Sequence, residues 1–220
     1  MNERNQRIQN LRILTLIPIG IALNLGLGTL VSTLKVPLYL DAIATIAVTL
    51  LAGWRAGVAV GVGSFLIGGL LVNPVLPWFS GTQAVVAVFT SWVASKGWLR
   101  TAKKLSLDGD PSSKRKPWFN CLRVILIGVS LGIIAGLASA PIIVWLFSGI
   151  TGSGPSVIVA VLLKSGETLF KSVLLSGFAS EPIDKTLQLI IALVLIRSLP
   201  NKLKEGFGGP HLEKNGLLSC

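Results

Sequence analysis

Polar positions in this chain punctuate hydrophobic runs at bilayer length rather than at the spacing of a surface helix. Uncharged stretches broken by Pro, Gly or charge mark seven segments, at about 13–33, 40–53, 56–72, 81–96, 121–147, 156–179 and 184–199. One of them breaks the pattern. The run PSVIVAVLLKSGETLFKSVLLSGF carries Lys164, Glu167 and Lys171 and, read as one helix at 100° per residue, places them with Thr168 on one narrow face. Three charges at a helix centre cost about 2.5–3.5 kcal/mol each, and the surrounding dozen or so Val, Ile, Leu and Phe return about 0.3–0.6 each. The sum does not favour crossing. This segment is expected to lie across the outer face or dip into the membrane, its charged face toward water or a protein cavity.

Composition extends that reading to the whole chain. Of 220 residues, 51% are hydrophobic and 13% charged, and the mean hydropathy is +0.74. A soluble domain of this size carries far more polar surface. The expected fold class is an all-α integral membrane protein: a bundle of about six transmembrane helices plus an additional amphipathic or re-entrant outer-face helix. A single membrane domain over 13–200 follows a basic N-terminus, 1–12, contains a basic loop near 97–120, and precedes a polar tail, 201–220.

The net charge of +11 bears on orientation. The basic residues sit in short patches without interleaved aromatics to stack bases, so nucleic acid is not an expected partner. With six crossings, 16 of the 20 Lys and Arg fall on one side, which the positive-inside rule makes cytoplasmic; if 156–179 also crosses, the count drops to 13. Both termini and the 97–120 loop are therefore expected inside, with 148–156 and 181–185 external. The N-terminal run lacks a clear small-x-small cleavage site and is expected to remain as the first span. Cys121 and Cys220 do not suggest a disulfide framework.

Candidate chemistry is sparse. Gly128, Gly132, Gly136 and Ala140 recur every four residues, as do Gly53, Gly57 and Gly61, the spacing of close helix packing; Ala22 and Gly26 form a shorter pair. Gly61, Gly63, Gly68 and Gly69 have the wrong spacing for a dinucleotide loop, and there is no P-loop. His211 stands alone, so no metal or other cofactor is implied. Asp41 and Asp184 are expected to cap the second and last helices. No nucleophile-base pair or acid cluster suggests catalysis, and no catalytic residue is assigned.

The stretches LNLGLGTLVSTLKVPLYLDAIATIAVTLLAGWRAGVAVGVGSFLIGGLL and SGITGSGPSVIVAVLLKSGETLFKSVLLSGFASEPIDKTLQLIIALVLIRSLP resemble the substrate-binding S-component family of energy-coupling factor (ECF) transporters. The resemblance spans roughly residues 14–200. It implies six spans in a bacterial-type plasma membrane, capture of a small water-soluble vitamin or related metabolite, and partnership with a transmembrane T-component and two cytoplasmic ATPase subunits. Small residues on the first helix contact the T-component in that family, which places Ala22 and Gly26 there, with Gly in place of the family's second Ala. The family's metal-binding branch has an N-terminal His-containing stretch that this chain lacks. Ligand sites in the family lie near the outer face, implying Tyr39, Asp41 and Asn73 as solute contacts beside Lys164, Glu167 and Lys171. Charged residues within an apolar segment are functional candidates; the alternative is a Lys-Glu-Lys cluster neutralised against solvent. A sensory or scaffold membrane domain reporting a ligand to a signalling partner is the second functional reading, and a membrane enzyme the third.

Overall fold

The computed structural model describes residues 3–99, 117–200, 203, 204 and 207. Most of the 97–120 loop and of the tail, including His211 and Cys220, lies outside the described residues. Among the described residues the main regular elements are seven α-helices and one 3-10 turn, with no strand: α1 (Glu3–Thr33), α2 (Ile43–Ala52), α3 (Trp54–Leu71), the turn Leu76–Phe79, α4 (Ser80–Ser95), α5 (Pro117–Phe147), α6 (Pro155–Lys164) and α7 (Leu169–Ser198). Three helices contain stretches long and apolar enough to cross a membrane, Gln6–Thr33, Trp54–Leu71 and Asn120–Phe147.

The centre of the bundle is its shortest kind of helix. α2 has ten residues, all but Thr45 and Thr49 apolar, and nine of them are buried. At 1.5 Å per residue it is only about half as long as a bilayer core is thick. Neighbouring helices enclose it: α1, α3, α4 and α7 all contact it. Ile43, Ile46 and Leu50 meet Val86 and Val93 of α4 and Leu189, Leu193 and Ile196 of α7 in one core cluster. The outer surface is apolar as well, with Leu70, Leu71 and Trp145 largely exposed, as expected where lipid rather than water is the solvent.

Two boundaries differ from the sequence reading. The run over 156–179 is not one helix: α6 stops at Lys164, and α7 begins at Leu169. Gly166 has φ +92, a conformation that L side chains rarely adopt, and it turns the chain there. Conversely, 184–199 is not a separate segment. α7 continues through Pro182, so 181–185 is no external loop: Glu181, Asp184 and Lys185 are buried in mid-helix.

The glycine ladder of α5 explains how α7 passes so close. A Cβ on Gly128 would lie 2.5 Å from the Thr186 backbone, and one on Gly132 would lie 2.5 Å from the Glu181 carbonyl oxygen and the Pro182 Cα. In the second ladder, Gly61 lies against Gln83 and Thr45. Both longer ladders are thus internal packing. Gly26 is the opposite case, since a Cβ there meets nothing within 4 Å. Gly132→Ala is therefore expected to destabilise the protein by about 1–3 kcal/mol through overpacking, while Gly26→Ala costs nothing; thermal unfolding in detergent checks the pair.

Candidate functional site

The connection from α1 to α2 folds into the bundle instead of over it. Leu40 has φ 48, a left-handed conformation uncommon for a bulky residue and sustained only by its surroundings. Those surroundings are polar groups of α7. Asp184 Oδ1 accepts the backbone N–H groups of Tyr39 at 2.9 Å and Leu40 at 3.0 Å. Its Oδ2 accepts Lys185 Nζ at 2.8 Å and Gln188 Nε2 at 2.6 Å.

The first amides of α2 are capped from a distance. Ala42 N–H donates to Gln188 Oε1 at 2.9 Å and Ala44 N–H to Asn24 Oδ1 at 2.8 Å. Asp41 makes no side-chain cap, and Asp184 sits inside α7 rather than at its start. Both capping assignments are overturned for one reason. Remote side chains satisfy the helix start, and the two aspartates face a buried cation.

That cation is Lys185. Its Nζ lies 2.8 Å from Asp184 Oδ2, 3.3 Å from Asp41 Oδ1 and 3.6 Å from Glu181 Oε2, and 5.5 Å from the Tyr39 ring centroid. The Lys185 side chain is 4% exposed and that of Asp184 0%. Ionised groups this deep cost several kcal/mol each in lost hydration unless they are paired and hydrogen-bonded. Asp184 meets that condition with four donors. Glu181 does not: its Oε2 is buried with no hydrogen-bond partner. Among the described residues no three His, Cys, Asp or Glu are arranged to hold a metal ion; an ammonium occupies the centre of the acids.

Beside this cluster opens a cavity with about 130 Å³ accessible to the centre of a water molecule. A single water needs about 10–15 Å³ on that measure, so there is room for a small solute. One part of the wall is apolar, from Leu25, Phe65, Leu76, Phe79 and Val86; another is polar, from Tyr39, Asp41, Glu181 and Lys185 with Asn24 and Gln83. Such a mixture of apolar wall and few convergent polar groups is the usual make-up of a ligand site. Thr82 also lines it, and its Oγ1 is a second buried atom without a hydrogen-bond partner.

No family model, curated protein or solved structure matches the chain.

Of the residues singled out from sequence, Tyr39, Asp41 and Asn73 line this cavity. Lys164, Glu167 and Lys171 do not: Lys164 is exposed, and Lys171 pairs with Glu167 at 2.8 Å on the surface, their side chains 58% and 35% exposed. An exposed pair of this kind contributes about 0–1 kcal/mol. Sequence reasoning assigned no site role to Glu181, Lys185, Asn24 or Gln83. The stretch EPIDK carried the missing signal, because Glu181, Asp184 and Lys185 at i, i+3 and i+4 share one helix face; reading Pro182 as a helix boundary hid it.

The remote cap gives a direct test of the clamp. Gln188→Leu keeps roughly the same volume but leaves the Ala42 N–H buried and unpaired, which costs about 1–3 kcal/mol. The expected result is a matching loss of thermal stability with faster hydrogen exchange at Ala42 than at the α3 amides; unchanged exchange at Ala42 contradicts the clamp.

Proposed function

We propose that this chain is the solute-binding membrane subunit of an ECF-type importer, capturing a small water-soluble metabolite of the vitamin class for uptake driven by partner ATPases. It binds and presents the solute and carries out no chemistry of its own. The observation that carries the reading is the cavity, where an apolar bundle with a lipid-type exterior encloses a space with one greasy wall and one ionic wall. Tyr39, Asp41 and Asn73, which the family resemblance implies as solute contacts, all line it.

In this reading α1, α2, α3, α4, α5 and α7 make the six crossings of the plasma membrane, α2 being completed by the inward-folded connection that precedes it. α6 is the additional outer-face helix. Both termini are cytoplasmic, supported by the 16 of 20 Lys and Arg that then lie inside. Lys35, Lys164 and Lys171 stay outside, and Lys185 belongs to neither surface because it is buried in α7.

The partner face lies on α1. Ala22 and Gly26 are both exposed and one turn apart, and the open space at Gly26 leaves that stripe unused by the chain's own packing. A transmembrane T-component with small residues of its own can approach there closely. Co-expression with a T-component and two ATPase subunits is expected to yield one complex. Ala22→Leu with Gly26→Leu should abolish it while leaving the thermal unfolding of the isolated chain unchanged. Solute uptake by the chain alone, with no ATPase present, contradicts the proposal.

A further inference from the structure

The ionic wall of the cavity has more acid than base. Asp41 and Glu181 face the space with Lys185, and Asp184 stands behind them in contact with the same ammonium. Asp184 alone can neutralise Lys185, at 2.8 Å and with three further donors from Tyr39, Leu40 and Gln188. Asp41 takes a second, longer contact at 3.3 Å. Glu181 is left with only an ion contact at 3.6 Å and an Oε2 that accepts no hydrogen bond. Its side chain is 7% exposed, so bulk water does not complete its shell.

A buried carboxylate oxygen without a donor is costly, and native structures retain such groups where something else supplies the partner. Here the group borders a cavity. On α4, Thr82 Oγ1 borders the same cavity and also lacks a partner. Phe65, Leu76, Phe79 and Val86 furnish an apolar part of the wall, which suits a flat or aromatic body.

We propose that the solute is an organic cation: a molecule with an ammonium or other positively charged nitrogen that donates to Glu181 and an apolar or aromatic body held between α3 and α4. The inference rests on the cavity being the solute site, as argued above, and it adds the substrate class. The cation offsets one of the two negative charges that Lys185 leaves uncompensated among Asp41, Glu181 and Asp184. A metal ion does not suit the place, because the Lys185 ammonium already occupies the point where the carboxylates converge. An anionic solute meets two facing carboxylates.

Three probes of similar size separate these possibilities: phenethylammonium, 2-phenylethanol and 3-phenylpropanoate, titrated calorimetrically into the purified full-length chain in nanodiscs. Phenethylammonium is expected to bind at least tenfold more tightly than either of the others. In Glu181→Gln that preference should fall at least tenfold, while the melting temperature of the probe-free variant stays level or rises, since an unsatisfied charge has been removed. A purely structural counter-ion of Lys185 behaves oppositely, its loss lowering the melting temperature and leaving the probe ranking intact. Equal binding of the three probes, a preference for the carboxylate, no binding of phenethylammonium, or a preference that survives Glu181→Gln overturns the proposal; if Glu181→Gln does not fold, the wild-type ranking decides. Loss of complex formation with the T-component and ATPases alongside an intact ammonium preference counts against the importer reading alone.

Discussion

A lysine ammonium held in the middle of a helix by carboxylates is the interaction on which this structure depends. Lys185 is almost fully enclosed and contacts Asp184, Asp41 and Glu181, and in an apolar bundle it has no other way to remain charged. Its partner Asp184 does double duty. The same carboxylate that holds the ammonium accepts the amides of Tyr39 and Leu40, and so draws the connection between α1 and α2 into the bundle. That inward fold shortens α2 and leaves the space that becomes the cavity. Charge burial, loop position and cavity are therefore one feature seen three ways.

Packing supplies the complementary constraint. The polar centre of α7 can sit beside α5 only because Gly128 and Gly132 let backbone approach backbone, which gains dispersion contacts where lipid offers no hydrophobic drive for helix association. Thr186 Oγ1 donates to the Pro182 carbonyl at 2.6 Å beside that crossing. A proline inside a helix removes one backbone donor, yet α7 runs unbroken through Pro182 and keeps the ionic cluster on one helix.

Hydrophobic runs revealed where helices lie, because run length depends on the solvent alone. They located α2, α3, α4 and α5 closely, whereas α1 begins at Glu3, well before its apolar run at 13–33. They failed at 156–179 and 181–185, where the decisive partners are remote. Gly166 reads as one small residue in an oily run, yet its positive φ ends a helix; Pro182 reads as a stop, yet the chain continues through it. The surface pair of Lys171 and Glu167 was conspicuous because its charges interrupt an apolar stretch. The buried cluster was not, since reading Pro182 as a stop hid the shared face of Glu181, Asp184 and Lys185, and its fourth member, Asp41, meets Lys185 across a separation of 144 positions. Tyr39, Asp41 and Asn73, which the resemblance implied as solute contacts, border the cavity, and Glu181, the acid with the unpartnered oxygen, was passed over.

The central claim is that Asp184 and Lys185 act as one unit to shape the bundle, and a double-mutant cycle tests it most directly. Lys185→Met and Asp184→Leu replace each charge with an apolar side chain of similar size, and each alone leaves the other charge buried without its nearest partner, at a cost of about 3–5 kcal/mol. The account predicts that the double variant loses at least about 1 kcal/mol less stability than the sum of the two, as coupled neighbours do. Additivity within about 0.3–0.5 kcal/mol, measured by reversible unfolding in mixed micelles, would contradict it.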